Sequence, residues 1–140
     1  MLNLNRVYRL GRFSFFLIFF WFGFLKVIHL SAAEELVNHL FVITLKDYIK
    51  FDWFYILLGL FECMIGILWL FPKLTKYALF IYLSHLVMTL LPLLMLTNDS
   101  WQYFLTPTLV GQYIIKNLAM VSLALFIYYF QMYTEEKSSD

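Results

Sequence analysis

Four long apolar runs alternate with short polar stretches along the chain. The first covers about residues 13–30 and reads FSFFLIFFWFGFLKVIHL. The second covers 53–71 and is stopped by Pro72; the third covers about 77–96, with Pro92 in its last turns. The fourth covers 107–130, opening at Thr106-Pro107 and reaching about Phe130. Each is close to the roughly 20 residues that a helix needs to cross a hydrocarbon core. Proline suits a first helical turn, and inside a helix it predicts a kink. Between the first two runs, Leu36 to Leu45 (LVNHLFVITL) is apolar yet too short to span. It predicts an extracytoplasmic helix lying at the interface, or an extension of the first helix. The expected fold is all-α: one integral membrane domain over residues 1–140, a four-helix bundle with a short interfacial helix between spans one and two.

Composition strengthens the membrane reading. The chain is 63% hydrophobic and 14% charged, against roughly 45–50% and 25% in soluble domains. So small a globule has too little interior to hide that much apolar surface from water, so the lipid bilayer is the expected partner. A net charge of +1, with no basic patch beyond a few N-terminal arginines, speaks against nucleic acid. The single cysteine, Cys63, leaves no disulfide framework, CxxC pair or zinc cluster. No metal is expected. Nor is an intrinsic cofactor, because no flavin, haem or iron–sulfur signature is present.

Basic residues set the expected orientation. Arg6, Arg9, Arg12, Lys73, Lys76 and Lys137 fall on one side; only Lys46 and Lys50 fall on the other, diluted by Glu34, Glu35, Asp47 and Asp52. Both termini are therefore expected in the cytoplasm. Arginines, an apolar core and then Ser31-Ala32-Ala33 also describe a cleavable signal peptide. Lys26 and His29 lie between that core and the cleavage site, however, and cleavage would leave an odd number of spans.

Polar residues inside the spans are the candidate chemistry. Lys26, Glu62 and Lys116 would together cost about 8–10 kcal/mol if all three faced lipid. They are expected to face one another or a wet cavity. At 1.5 Å per residue, Glu62 and Lys116 each lie roughly 14 Å into their spans, and Lys26 lies about 20 Å into its own. His85 falls near the middle of the third. Helical spacing joins Gln112 to Lys116, and Gly59 to Glu62 and Gly66. The expected polar layer is Lys26, Glu62, His85, Gln112, Lys116 and Asn117, with Glu62 paired to Lys116. Trp21, Phe22 and Tyr82 are candidates to stack on a flat ring. A bis-histidine haem on His29 and His85 is disfavoured by their differing depths.

Three motifs, in this order, resemble the DoxX-like superfamily of small bacterial four-span proteins, which includes an inner-membrane family of reactive-chlorine resistance. They are Phe22-Gly23 followed by Lys26 in the first span, Gly59, Glu62 and Gly66 in the second, and Gly111-Gln112-Tyr113 followed by Lys116-Asn117 in the fourth. The similarity covers roughly Arg12 to Tyr129. Glu34 and Glu35 follow Lys26 at a longer interval than the glutamate-rich turn of related proteins. The resemblance implies a bacterial inner-membrane location and a non-autonomous subunit linked to redox chemistry or oxidative stress, with quinone as a candidate ligand and a redox protein as partner. In such a pocket a lysine ammonium would hydrogen-bond a carbonyl oxygen, and Glu62 or His85 would relay protons. Two other classes use the same polar layer. A proton-coupled transporter would be expected to show internal symmetry, and the two halves show none. A structural or assembly partner would need the ion pairs only to hold its helices together. A homo-oligomer is compatible with each.

Overall fold

The computed structural model describes residues 3–139 and is nearly all helical. Four helices are long and apolar enough to cross a membrane: Leu4–Val27, Phe51–Leu70, Pro72–Met95 and Leu109–Lys137. Only 22–33% of each apolar window is buried within the protein. Leu17, Phe24, Leu57, Phe80, Val87 and Leu118 instead point outward. Helices apolar on both faces are what a lipid surround permits and water does not.

Helix α1 (Leu4–Val27) starts nine residues before the apolar run, with the Asn3 side chain accepting from the Asn5 N–H. The arginines there are good helix formers, and Tyr8 packs on Phe130, so tertiary contact carries the helix past its apolar part. It ends in a Schellman turn: the His29 N–H donates to Lys26 O, and Leu30 N–H to Leu25 O. His29 occupies the left-handed position (φ 55) that glycine usually takes. Its ring is held by Glu34 at 3.0 Å. Helix α2 (Glu34–Thr44) carries Glu34 and Glu35 in its first turn, where acids favour the helix dipole. The expected short helix between spans one and two is present, and Phe41 docks it on Phe51 and Phe54.

Helix α3 (Phe51–Leu70) stops before Pro72, which opens a 3₁₀ turn (Pro72–Leu74) leading into α4 (Thr75–Leu90). Pro92 breaks the third span where expected, since a proline cannot complete the helical ladder; α5 (Pro92–Met95) follows. Next come α6 (Thr97–Ser100) and a small antiparallel pair, β1 (Trp101–Tyr103) with β2 (Thr106–Pro107). Pro107 therefore lies in an extended segment rather than a first helical turn. The fourth span begins two residues later, where the Thr108 side chain caps α7 (Leu109–Ile115) by accepting from the Gly111 N–H. After an irregular residue at Lys116, α8 (Asn117–Ser139) runs past the expected end at Phe130.

The tightest packing joins α1 to α3. A Cβ built on Gly23 would fall 2.6 Å from Gly59 O, and one on Gly59 the same distance from Gly23 O. Only glycine lets the two backbones touch there. Phe15, Ile65, Trp69, Ala78, Tyr82, Ala124 and Ile127 build the core that α1, α3, α4 and α8 share. Gly11 packs on Leu123 and Ile127, seating α8 along the first half of α1.

Candidate functional site

Glu62 is the centre of the buried polar cluster. It lies on the α3 face carrying Tyr55, Gly59, Ile65 and Trp69, and is 8% exposed. The Gly23–Gly59 contact beside it brings α1 close enough for Lys26 Nζ to reach Glu62 Oε2 at 2.6 Å. On the opposite side, α4 presents Thr75, Ala78, Tyr82 and His85 at spacings of three and four, all buried. His85 Nε2 lies 3.3 Å from Glu62 Oε1. One carboxylate thus bridges an ammonium and an imidazole, each of its oxygens serving a different helix.

The surround is apolar and aromatic. Phe19 and Phe61 meet the His85 ring edge-on, with centroids 5.9 and 5.8 Å away. Tyr82 packs against Phe15, Phe19 and Trp69. Thr89 donates to the His85 carbonyl, and its hydroxyl is also 3.5 Å from His85 Nε2. His85 Nδ1 and the Tyr82 hydroxyl are both buried without a hydrogen-bond partner among the described residues. Unpartnered polar atoms in a protein interior are uncommon enough to mark a place where a further group can bind. A hollow of about 500 Å³ lies between α1 and α3, lined by Phe20, Phe24, Val27, Leu60, Cys63 and Met64 among others, and no member of the triad lines it.

Five of the nine expected site residues lie otherwise than the spacing predicts. The fourth span docks through Gly111, Ile114, Ala124 and Ile127, which turns Gln112 and Lys116 outward. Lys116 Nζ lies 5.0 Å over the Tyr113 ring rather than on Glu62. Asn117 is half-buried and hydrogen-bonded to none of the triad. The pairing expected for Glu62 therefore belongs to Lys26. Trp21 and Phe22 are 58% and 52% exposed, because the packed stripe of α1 runs through Phe15, Gly23 and Lys26. Tyr82 is buried as expected. His29 and His85 are held by different carboxylates, Glu34 and Glu62.

An outward lysine in a membrane span is tolerable when its stem can reach the interface. Lys116 is seven residues, or about 10 Å, from the start of α7. Lys116→Met is expected to change stability by less than about 0.5 kcal/mol, as at other surface positions. Thermal unfolding in detergent checks this, and a loss of about 2 kcal/mol would place Lys116 in a buried pair after all.

A second polar cluster was not foreseen. Arg12, expected only as a marker of orientation, is 4% exposed and bonded to Tyr8 and Thr75. Its one sequence signal is the i, i+4 spacing from Tyr8, which many solvated helix faces share. Comparisons with family models, curated proteins and solved structures gave no match to this chain.

Proposed function

We propose that this chain is a DoxX-like four-helix membrane protein whose Lys26–Glu62–His85 triad binds a flat, proton-accepting carrier of the quinone type. The reading places it in a bacterial inner membrane, as a non-autonomous subunit that takes electrons from a partner redox protein. The carrying observation is Glu62 held between the Lys26 ammonium and the His85 imidazole in an apolar bundle, with His85 Nδ1 left to bind something else. The motif residues of the first two spans support the resemblance. Gly23, Lys26, Gly59, Glu62 and Gly66 all meet in the α1–α3 contact. A carbonyl oxygen of the ligand would accept from the Lys26 ammonium, whose charge stabilises the reduced oxygen, and a hydroxyl of the reduced ligand would donate to the free His85 Nδ1. Glu62 and His85 would pass the accompanying proton. Short helix α2 would lie at the outer interface.

Solvent extraction of the detergent-purified protein tests the ligand. Co-purified quinone is expected with the native chain and with Lys116→Met, and is expected to be lost in His85→Gln. A native protein free of quinone would overturn the reading. Orientation is tested separately by reporter fusions at Thr134 and near Ser100. Thr134 is expected in the cytoplasm and Ser100 outside, and a periplasmic Thr134 would overturn the four-span topology.

One observation favours a second reading. The 2.6 Å ion pair sits directly beside the Gly23–Gly59 contact, where it would fix the register of α1 against α3 without any ligand. Under that reading Lys26→Met with Glu62→Leu restores stability and no ligand is lost.

A further inference from the structure

Arg12 lies where α1 meets the start of α4. Its Nη1 is used twice, donating to the Tyr8 and Thr75 hydroxyl oxygens, both at 2.7 Å. The Thr75 hydroxyl itself donates to Pro72 O at 2.7 Å, so its lone pairs are left for the guanidinium. Nε and Nη2 are buried and have no hydrogen-bond partner among the described residues. These two nitrogens share one edge of the planar group. Their parallel N–H bonds match the paired oxygens of a carboxylate or phosphate, a fit that lysine cannot make.

Among the described residues no carboxylate forms an ion pair with Arg12. The hydrogen-bond chain from Nη1 leads through Tyr8 and Gln131 to Glu135, two side chains away. A guanidinium buried without a counter-ion is unfavourable. The surroundings add to the positive charge: Arg9 lies one turn earlier on α1, and Thr75 stands between Lys73 in the turn joining the second and third spans and Lys76 in the first turn of α4. That turn puts the cluster at the membrane surface rather than its centre. Exposed Leu10, Phe13 and Tyr77 lie beside it in sequence, and would meet acyl chains.

We propose that the Nε–Nη2 edge of Arg12 binds an oxyanion, the phosphate of an anionic phospholipid headgroup. The basic rim selects a headgroup of net negative charge over a zwitterionic one, as basic clusters between membrane helices do. The edge is closed in this conformation, so binding requires the side chains over it to move aside. The site is independent of the triad and of the direction in which the chain is inserted.

The test is native mass spectrometry of the detergent-purified chain with equal amounts of phosphatidylglycerol and phosphatidylcholine, paired with thermal unfolding in lipid discs. Retention of phosphatidylglycerol is expected to exceed that of phosphatidylcholine about tenfold, roughly the attraction of one or two rim cations to the added negative charge. Discs containing phosphatidylglycerol are expected to raise the unfolding temperature above discs of phosphatidylcholine alone. Arg12→Lys keeps the charge and the rim but removes the paired N–H edge, and is expected to lower the retention of phosphatidylglycerol about tenfold, the equivalent of one hydrogen bond to a charged group. Equal retention of the two lipids by the native chain would overturn the proposal, and so would undiminished retention of phosphatidylglycerol by Arg12→Lys. If Arg12→Lys fails to fold, the competition on the native chain decides. An equal rise in unfolding temperature from inorganic phosphate in detergent would overturn the lipid as occupant and leave the edge to a free anion.

Discussion

Glu62→Leu is expected to destabilise the protein by about 3–5 kcal/mol, because it strands the Lys26 ammonium in the interior. Lys26 is 6% exposed and its Nζ hydrogen bond goes to Glu62. His85 loses its carboxylate partner in the same step. Thermal unfolding in detergent measures the loss. Adding Lys26→Met removes the stranded charge and is expected to restore much of the stability, since apolar side chains of similar volume commonly replace a buried pair without loss. A Glu62→Leu protein as stable as the native one would mean that Lys26 finds water or lipid headgroups more easily than the closed cluster allows.

The other large effect is expected at Gly23. A methyl group there would meet Gly59 O at 2.6 Å and Cys63 N at 2.8 Å, and neither atom can yield without moving a helix. Gly23→Ala is expected to cost about 3 kcal/mol, the upper end for overpacking, because separating α1 from α3 also lengthens the 2.6 Å Lys26–Glu62 pair. Gly11→Ala is the control. Its new Cβ would approach Leu123 Cδ1 at 3.1 Å and Ile127 Cδ1 at 3.3 Å, both side-chain ends that can shift, so little change is expected. Equal unfolding temperatures for the two variants would show that α1 and α3 do not touch backbone to backbone.

Four helices long and apolar enough to cross a membrane were legible in the sequence, because an apolar run of about 20 residues needs no partner to be read. Pro72 and Pro92 mark their breaks for an equally local reason, the missing N–H. Direction around each helix was harder. In water the apolar stripe shows which face is inward, but in lipid both faces are apolar, and the polar residues are the marker of the inside that remains. That marker works for Glu62, Lys26 and His85, where Gly59 and Gly23 share the same stripe and demand a close neighbour. It fails for Gln112 and Lys116. The inward face of the fourth span is Gly111, Ile114, Ala124 and Ile127, an apolar set that the sequence does not distinguish from lipid-facing residues. Arg12 fails for the reverse reason: a residue expected at the water boundary is enclosed by Tyr8 and Thr75, and Thr75 is 63 positions away. The αL turn at His29 was equally hidden, since only glycine or asparagine would have announced it.

The most direct measurement is a pair of double-mutant cycles on the detergent-purified chain. One combines Lys26→Met with Glu62→Leu, the other Lys116→Met with Glu62→Leu. If Glu62 is held by Lys26, the first cycle shows a coupling of more than about 1 kcal/mol, while the second is additive within about 0.5 kcal/mol, as for residues that share no contact. Strong coupling in the second cycle with additivity in the first would contradict the triad, and with it the site on which the proposed function stands.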